Sequence, residues 1–233
     1  MFLIDYFKGI AENITETYEF SIILNDFWVF LPAAIETLRI TITAIVIGLI
    51  IGLFAALARL SKYKILYYPS TLYITVIRGT PILLQLLIIY YGITAIVTLN
   101  AFTSAAIAFG LHNGAYIAEI FRGSIKSIDI GQKEAARSLG MTKIQAMKRV
   151  ILPQAFKRAV PPLGNQLVIA TKDSSLASAV AVSELTRKGR EMGSSTFNYL
   201  EYLLIAGIYY LIITSILSFI VHKVEKKLAV SDR

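Results

Sequence analysis

Apolar residues in this chain run in long blocks separated by short basic segments. Ile40–Leu57 contains no charged residue, and neither does Ile82–Phe109. A run of about 18 or more such residues is long enough to cross a bilayer as a helix. Five spans are predicted, at about Phe30–Ala58, Leu66–Ile93, Asn100–Phe121, Pro153–Val182 and Tyr199–Val221. The second is interrupted by Arg78-Gly79-Thr80-Pro81. Pro81 removes a helical hydrogen bond and disfavours α geometry at Thr80, which predicts a kink. Gly48 and Gly52 in the first span form a small-xxx-small pair suited to close helix packing. Arg39 is expected to snorkel outward.

Between the third and fourth spans lies a connection too long for a simple turn, DIGQKEAARSLGMTKIQAMKRVILPQA. Asp129 can cap a helix starting near Gln132, built from the good helix formers Glu134, Ala135, Ala136 and Arg137. Gly140 suits the C′ position that ends it. Thr142 can cap a second helix ending near Val150. Pro153 then opens the next span, where its missing N–H costs little. Ala135, Ala136 and Leu139 would be in reach of a partner surface, with the flanking charges setting register. The same pattern also suits an amphipathic helix lying on anionic lipid.

Composition agrees with a membrane chain: 56% of the 233 residues are hydrophobic, and mean hydropathy is +0.65. The net charge of +8 is concentrated between spans and near the end, a pattern of topology rather than of nucleic-acid binding. Arg59, Lys62 and Lys64 lie in the first connection. Arg122, Lys126, Lys133, Arg137, Lys143, Lys148 and Arg149 lie in the long one, and Lys223, Lys226, Lys227 and Arg233 in the tail. Five spans put all three regions on one side, which the positive-inside rule makes the cytoplasm. The acidic N-terminus would then lie outside, and Met1–Phe30 has no basic n-region of a signal peptide. One local conflict remains: Arg187, Lys188 and Arg190 fall on the outer side, softened by Glu184 and Glu191.

Other chemistry is scarce. Without cysteine there are no disulfides or thiolate sites, and HExxH and GxSxG are absent. His112 and His222 lie on separate spans, so neither a metal site nor an enzyme centre is expected. No GxxxxGK[ST] occurs, so ATP is not expected to bind here. No internal repeat suggests a self-sufficient secondary transporter. Five spans make a thin bundle, which favours a symmetric dimer.

The loop carries a resemblance. EAA-x3-G followed by a hydrophobic residue and LP, here Glu134, Ala135, Ala136, Gly140, Leu152 and Pro153, resembles the coupling-loop signature of binding-protein-dependent ABC importer permeases. Val150 stands where Ile is usual. RGTPILLQL (Arg78–Leu86), GAYIAEIFRG (Gly114–Gly123), PPLGNQ (Pro161–Gln166) and KDSSLAS (Lys172–Ser178) are similar to the subfamily that carries polar amino acids such as His, Gln and Arg. The resemblance covers about Phe30 to Lys227. It implies an all-α, polytopic membrane protein of the type I ABC importer permease fold, with about five transmembrane helices and a cytoplasmic coupling helix. Residues 1–29 would be an external segment, 30–225 the permease domain with its coupling loop at about 129–150, and 226–233 a cytoplasmic tail.

The resemblance implies a multi-pass protein of a bacterial-type cell membrane and three kinds of partner. These are an ATP-binding cassette ATPase holding ATP and Mg, a second permease chain (a copy or a close homologue), and an extracytoplasmic amino-acid-binding protein. Glu134, Ala135, Ala136, Arg137, Leu139 and Gly140 would dock the ATPase. This chain would bind no cofactor and catalyse nothing. A permease of the same class for another small polar solute, such as an opine, remains an alternative.

Charged residues within spans are functional candidates because burying them in lipid is costly. Pro161 to Lys172 spans ~18 Å, which puts Thr171, Lys172, Asp173, Ser174 and Ser175 near the midplane. Ser and Asp there can unwind a helix and present groups to a ligand; alternatively Lys172 and Asp173 neutralise each other. Asn113, Tyr116 and Glu119 share one helix face beside His112. Asp173 and Glu119 could receive an ammonium, and Asn113, Ser174, Ser175 and backbone N–H groups a carboxylate. Two acids lean toward a cationic cargo. His112 reads more readily as a packed residue than as a ligand. Arg78 either belongs only to the kink that shapes the bundle or pairs with Glu119 or Asp173.

Overall fold

A computed structural model describes Glu19, residues 21–93 and residues 97–229, and the regular elements among them are all helical. A short helix α1 (Ser21–Asn25) and a 3-10 turn (Phe27–Phe30) lead into α2 (Leu31–Leu60). After it come α3 (Lys64–Arg78), α4 (Ile82–Leu87, continued by a π turn Ile88–Ile93) and α5 (Ala101–Lys126). The long connection holds α6 (Ile130–Ser138) and α7 (Lys143–Ala146). A π turn, Met147–Ile151, joins α7 to α8 (Leu152–Asp173). The 3-10 segment Ser174–Val180, α9 (Leu185–Thr196) and α10 (Tyr199–Ala229) complete the chain.

Among the described residues, two helices are long and apolar enough to cross a membrane alone: α2 with its preceding turn, and α10. A third crossing is broken, because α3 and α4 meet at a bend of 108°. Gly79, Thr80 and Pro81 make the break, as the sequence requires. α3 meets α5 through its second half: the Tyr73 hydroxyl donates to the Leu111 carbonyl, and Tyr73, Ile74 and Ile77 join the cluster with Ala115, Ala118 and Phe121. α5 and α8 are long enough to span but bury polar residues, Ser104, His112 and Asn113 in one and Gln166 and Thr171 in the other. That polar content is why they are less apolar than α2.

The scaffold is the α2–α5 seam, where glycines face each other from both helices. A Cβ on Gly52 would sit 2.7 Å from Ile117 Cγ2 and 2.9 Å from the Gly114 carbonyl oxygen. One on Gly110 would sit 2.5 Å from Ile47 Cγ2. Gly48 and Gly52 thus pack as expected, and the complementary pair on α5 is Gly110 and Gly114. One apolar cluster closes above this seam, with Ile40, Ala44, Leu86, Phe109 and Val180. Another, of Ala55, Ala56, Ile74, Ala115 and Ala118, closes below. Residues 1–18 and 230–233 of the expected terminal segments lie outside the described residues. Residues 21–30 pack onto α10: Phe27 stacks on Tyr209 at 4.5 Å, and the Tyr202 hydroxyl donates to Asp26 at 2.7 Å.

Two features of the second half depart from the expected helix ends. α7 runs into α8 through the π turn instead of stopping near Val150. Pro153 offers no N–H and its ring would meet the carbonyl of Arg149, so the wider turn relieves the conflict. At the other end α8 tightens to a 3-10 helix after Asp173 instead of unwinding.

The carboxylate of Glu184, fully buried, caps α9. It accepts from the N–H groups of Thr186 and Arg187 (both 2.8 Å) and from the Tyr210 hydroxyl (2.6 Å). Burial raises its pKa above the ordinary value of 4.5, while these hydrogen bonds pull it back in part. A raised folded-state pKa makes ionisation oppose folding. The contribution of Glu184 to stability is complete below pH 4.5 and is lost as pH rises through the folded value. Thermal unfolding in detergent is expected to show wild-type stability falling more steeply above pH 4.5 than that of Glu184→Gln. An identical slope for the two proteins would contradict this.

Candidate functional site

The cytoplasmic-type loop folds largely as its local chemistry dictates. The Asp129 carboxylate accepts from the Gly131 N–H at 2.6 Å, starting α6 two residues before the expected position. At its end the Met141 N–H donates to the Ala136 carbonyl and the Gly140 N–H to that of Arg137, with Gly140 at φ +80°. This is a Schellman end, with glycine at the left-handed position. Thr142 and Gln145 then form a reciprocal capping box. The loop is fastened to the bundle by Ile128 against Ile151 and Ala155 and by Gln154 donating to Gln132 at 3.0 Å.

Its outward face is unusual for so polar a segment. Leu139 is 80% exposed, and Ile130 and Ile144 in the same loop are nearly as open. Glu134, Ala135, Arg137 and Gly140 are also exposed. Ala136 is not; it is buried against its own chain, so it supports the helix from beneath instead of meeting a partner. The sequence reading missed Ile130 and Ile144, whose signal was an apolar side chain at each flank of a charged helix.

Near the same end of the bundle, Glu119 is a hub. Arg122 holds it from one turn away, Nε at 3.0 Å and Nη2 at 2.7 Å. Arg59 of α2 hydrogen-bonds the same carboxylate. Arg78, at the break after α3, approaches to 3.8 Å and lies over the Tyr116 ring at 5.0 Å. Of the two partners expected for Arg78, the structure places Glu119. Both oxygens of Glu119 are engaged by guanidinium groups, from Arg59 and Arg122. It ties α2, α3 and α5 together. Replacing it with Gln leaves three arginines without an acid. The expected cost is about 2 kcal/mol, below that of a fully buried pair because the side chain keeps 17% exposure. A melting temperature lower by about 4–8 °C would follow; an unchanged value would remove the hub role.

The other candidates divide. The Asn113 amide is committed to packing: Nδ2 donates to the Phe109 carbonyl at 2.7 Å, and Oδ1 accepts from Gln166 Nε2 at 2.9 Å. It joins α5 to α8 and is fully buried, with one of its two Nδ2 hydrogens committed to Phe109. His112 is likewise a packed residue, with Nδ1 3.1 Å from Gln85 Oε1 and its ring tilted against Tyr116. Gln85 reaches back with Nε2 to the carbonyls of Ile77 (2.8 Å) and Thr80 (3.1 Å), capping the broken end of α3. Ser174 is buried and donates to the Thr171 carbonyl at 2.7 Å. Asp173, Ser175 and Tyr116 are half-buried, and the Asp173 carboxylate makes no hydrogen bond or ion pair among the described residues. Lys172 is exposed and not within ion-pair distance of it. Gln85, Gln166, Arg59 and Arg122 were not singled out as site residues: Arg59 and Gln166 gain their roles from Glu119 and Asn113, far along the chain, whereas Arg122 meets Glu119 one turn away.

Residues 48–230 match the family of binding-protein-dependent transport system inner membrane components. The chain belongs to this family. The arginine transport system permease protein ArtQ of Bacillus subtilis (strain 168) is 39% identical over 198 residues, 84% of this chain and 90% of that one. The L-cystine transport system permease protein TcyB of the same organism is 43% identical over 210 residues, 89% and 90% of the two. In three dimensions a crystallised amino acid ABC transporter with histidines superposes with a TM-score of 0.86 at 38% identity. That match covers 90% of this chain and 98% of that one. The fold is thus the all-α permease fold of ABC importers, and the chain is a multi-pass transport component of the inner membrane by family. The 183-residue match begins within α2, so the seam, the hub and the loop with its Schellman end all lie inside the family region.

Proposed function

We propose that this chain is the permease of an ATP-driven importer for polar amino acids and works by alternating access. What carries the reading is α6: a rigidly capped helix with an exposed leucine, inside the family match and at one end of the bundle. A separate cassette ATPase, which holds ATP and Mg, receives Glu134, Ala135, Arg137, Leu139 and Gly140, with Ala136 as their support. Closure of two such ATPases moves the α6 helices of two permease chains, and the paired bundles open outward. The binding protein then delivers cargo, and hydrolysis returns the bundles inward. The N-terminus is outside and the C-terminus cytoplasmic, which follows from the basic connections.

Cargo recognition is assigned to Asp173, Ser175 and Tyr116, with Arg78 over the tyrosine. The Asp173 carboxylate, which has no ion pair among the described residues, suits the ammonium that every amino acid carries. His112, Asn113, Ser174 and Glu119 hold the walls. Because Glu119 is neutralised, the lean toward a cationic side chain loses one of its two acids. Relatives named for arginine and for cystine agree on the zwitterion and not on the side chain. Purification from native membrane under mild detergent tests the reading. A cassette ATPase is expected to travel with the chain, and the reconstituted complex to accumulate a radiolabelled polar amino acid with ATP. A chain that purifies without an ATPase and transports on an ion gradient alone would overturn it.

A further inference from the structure

α2 and α3 are joined by only residues 61–63, and an open apolar cleft of about 560 Å³ lies between them. Ile50, Phe54 and Ala58 line it from α2, and Ile65, Leu66 and Pro69 from α3. Two polar side chains also line it, and backbone carbonyls already satisfy both. The Ser70 hydroxyl donates to the Ala55 carbonyl at 2.7 Å, and the Tyr73 hydroxyl to the Leu111 carbonyl at 2.6 Å. The cleft therefore offers no partner to a polar cargo or to water. Phe54, Ile65 and Leu66 are exposed, so it opens away from the bundle.

Its length matches one leaflet. Ile50 to Ala58 of α2 rises ~12 Å, and Ile65 to Tyr73 of α3 the same, against ~15 Å for half of the hydrocarbon core. The connection where the two helices meet is cationic. Lys62 and Lys64 are exposed and have no ion pair among the described residues. The acid of this end, Glu119, is already outnumbered: Arg59 and Arg122 hold it, and Arg78 lies 3.8 Å away. Tyr63 and Tyr68, both exposed, supply rings of the kind that sit at headgroup level. A tail lying in the cleft would bring its headgroup to two uncancelled cations, which favours an anionic one. A second copy of this chain fits less well. Across a two-fold interface the same patch comes from both sides, lysines included, and no acid lines it to meet them.

We propose that the cleft between α2 and α3 holds one acyl chain of an anionic phospholipid whose headgroup rests on Lys62 and Lys64. The site requires only that the chain crosses a membrane, so it stands or falls apart from the importer reading. The test takes the protein as it purifies from native membrane, with whatever ATPase accompanies it. After a delipidating wash it is given phosphatidylglycerol or phosphatidylcholine of equal chain length, and native mass spectrometry counts the lipids retained. Wild type is expected to keep one phosphatidylglycerol per permease chain in preference to phosphatidylcholine. Lys62→Gln/Lys64→Gln is expected to cut that preference about 30-fold at low salt. Ala58→Trp, which fills the cleft, is expected to lower retention of both lipids. Lys143→Gln/Lys148→Gln removes the same charge from the loop and is expected to change neither. A preference that survives the loss of Lys62 and Lys64, or that falls equally with the loop lysines, overturns the proposal. So does unchanged retention in an Ala58→Trp protein that keeps the wild-type size-exclusion profile. Ile65→Cys places the sole thiol in a chain without cysteine. Its cross-linking to a second permease chain in native membrane would give the cleft to a contact between chains and likewise overturn the proposal.

Discussion

Leu139→Asp is expected to reduce ATP-driven uptake about 100-fold while leaving the permease itself folded. The residue is 80% exposed at the end of a helix fixed from beneath by Ala136 and closed by Gly140 at φ +80°. Little in the isolated chain depends on it, so its truncation costs the fold almost nothing. On the docking proposed above it would be the central apolar anchor. Loss of such an anchor costs about 2–4 kcal/mol, and each 1.4 kcal/mol is about tenfold. Burying a carboxylate in its place adds a desolvation penalty. Gly140→Val reaches the same end by another route. A β-branched residue in the left-handed region is strained by about 1–2 kcal/mol, so the Schellman end opens and Leu139 is no longer aimed. Gly140→Asn, which tolerates that region, should retain much of the activity. Co-purification of the ATPase and uptake in proteoliposomes read all three. Full coupling in Leu139→Asp would show that α6 is not the docking element.

The behaviour of this loop explains why some of the molecule was legible in the sequence and some was not. Caps, turns and helix ends are decided by residues within four positions of each other. Asp129, Gly140 and the Thr142–Gln145 box could therefore be read directly. The break at Gly79–Pro81 was equally local. Its consequence was not: the bend of 108° is held by contacts distant in sequence, Tyr73 donating to the Leu111 carbonyl and Gln85, which caps the broken end, lying against His112. Glu119 shows the limit most clearly. An acid at membrane depth could be recognised as important, but whether it faces cargo or arginine depends on Arg59, sixty residues away. Asn113 fails in the same manner through Gln166, and Glu184 through Tyr210. Position along a helix face says that two side chains can meet a third. It does not say which third arrives.

Gly52→Leu is expected to abolish the folded permease, read as loss of the monodisperse peak in fluorescence-detected size-exclusion chromatography. A Cβ at Gly52 would already fall 2.9 Å from the Gly114 carbonyl oxygen, a backbone atom that cannot swing aside, and 2.7 Å from Ile117 Cγ2. Ala there should cost about 1–3 kcal/mol as overpacking, and Leu more. Gly123→Ala provides the contrast, because α5 has open space at that Cβ. With no clash, the better helix propensity of alanine should leave stability unchanged or raise it by up to about 1 kcal/mol. The two substitutions thus have opposite signs, which a general intolerance of glycine replacement would not produce. The seam also explains why the loss at Gly52 should reach function before the protein disappears. Arg59 lies two helical turns beyond Gly52 on α2 and meets Glu119 on α5. Forcing the helices apart draws that pair open and leaves the Arg59 guanidinium without its acid, while Arg122, one turn from Glu119 on the same helix, keeps it. A partial clash such as Gly52→Ala should therefore weaken the hub, and a second substitution, Glu119→Gln, should add less on top of it than it costs alone.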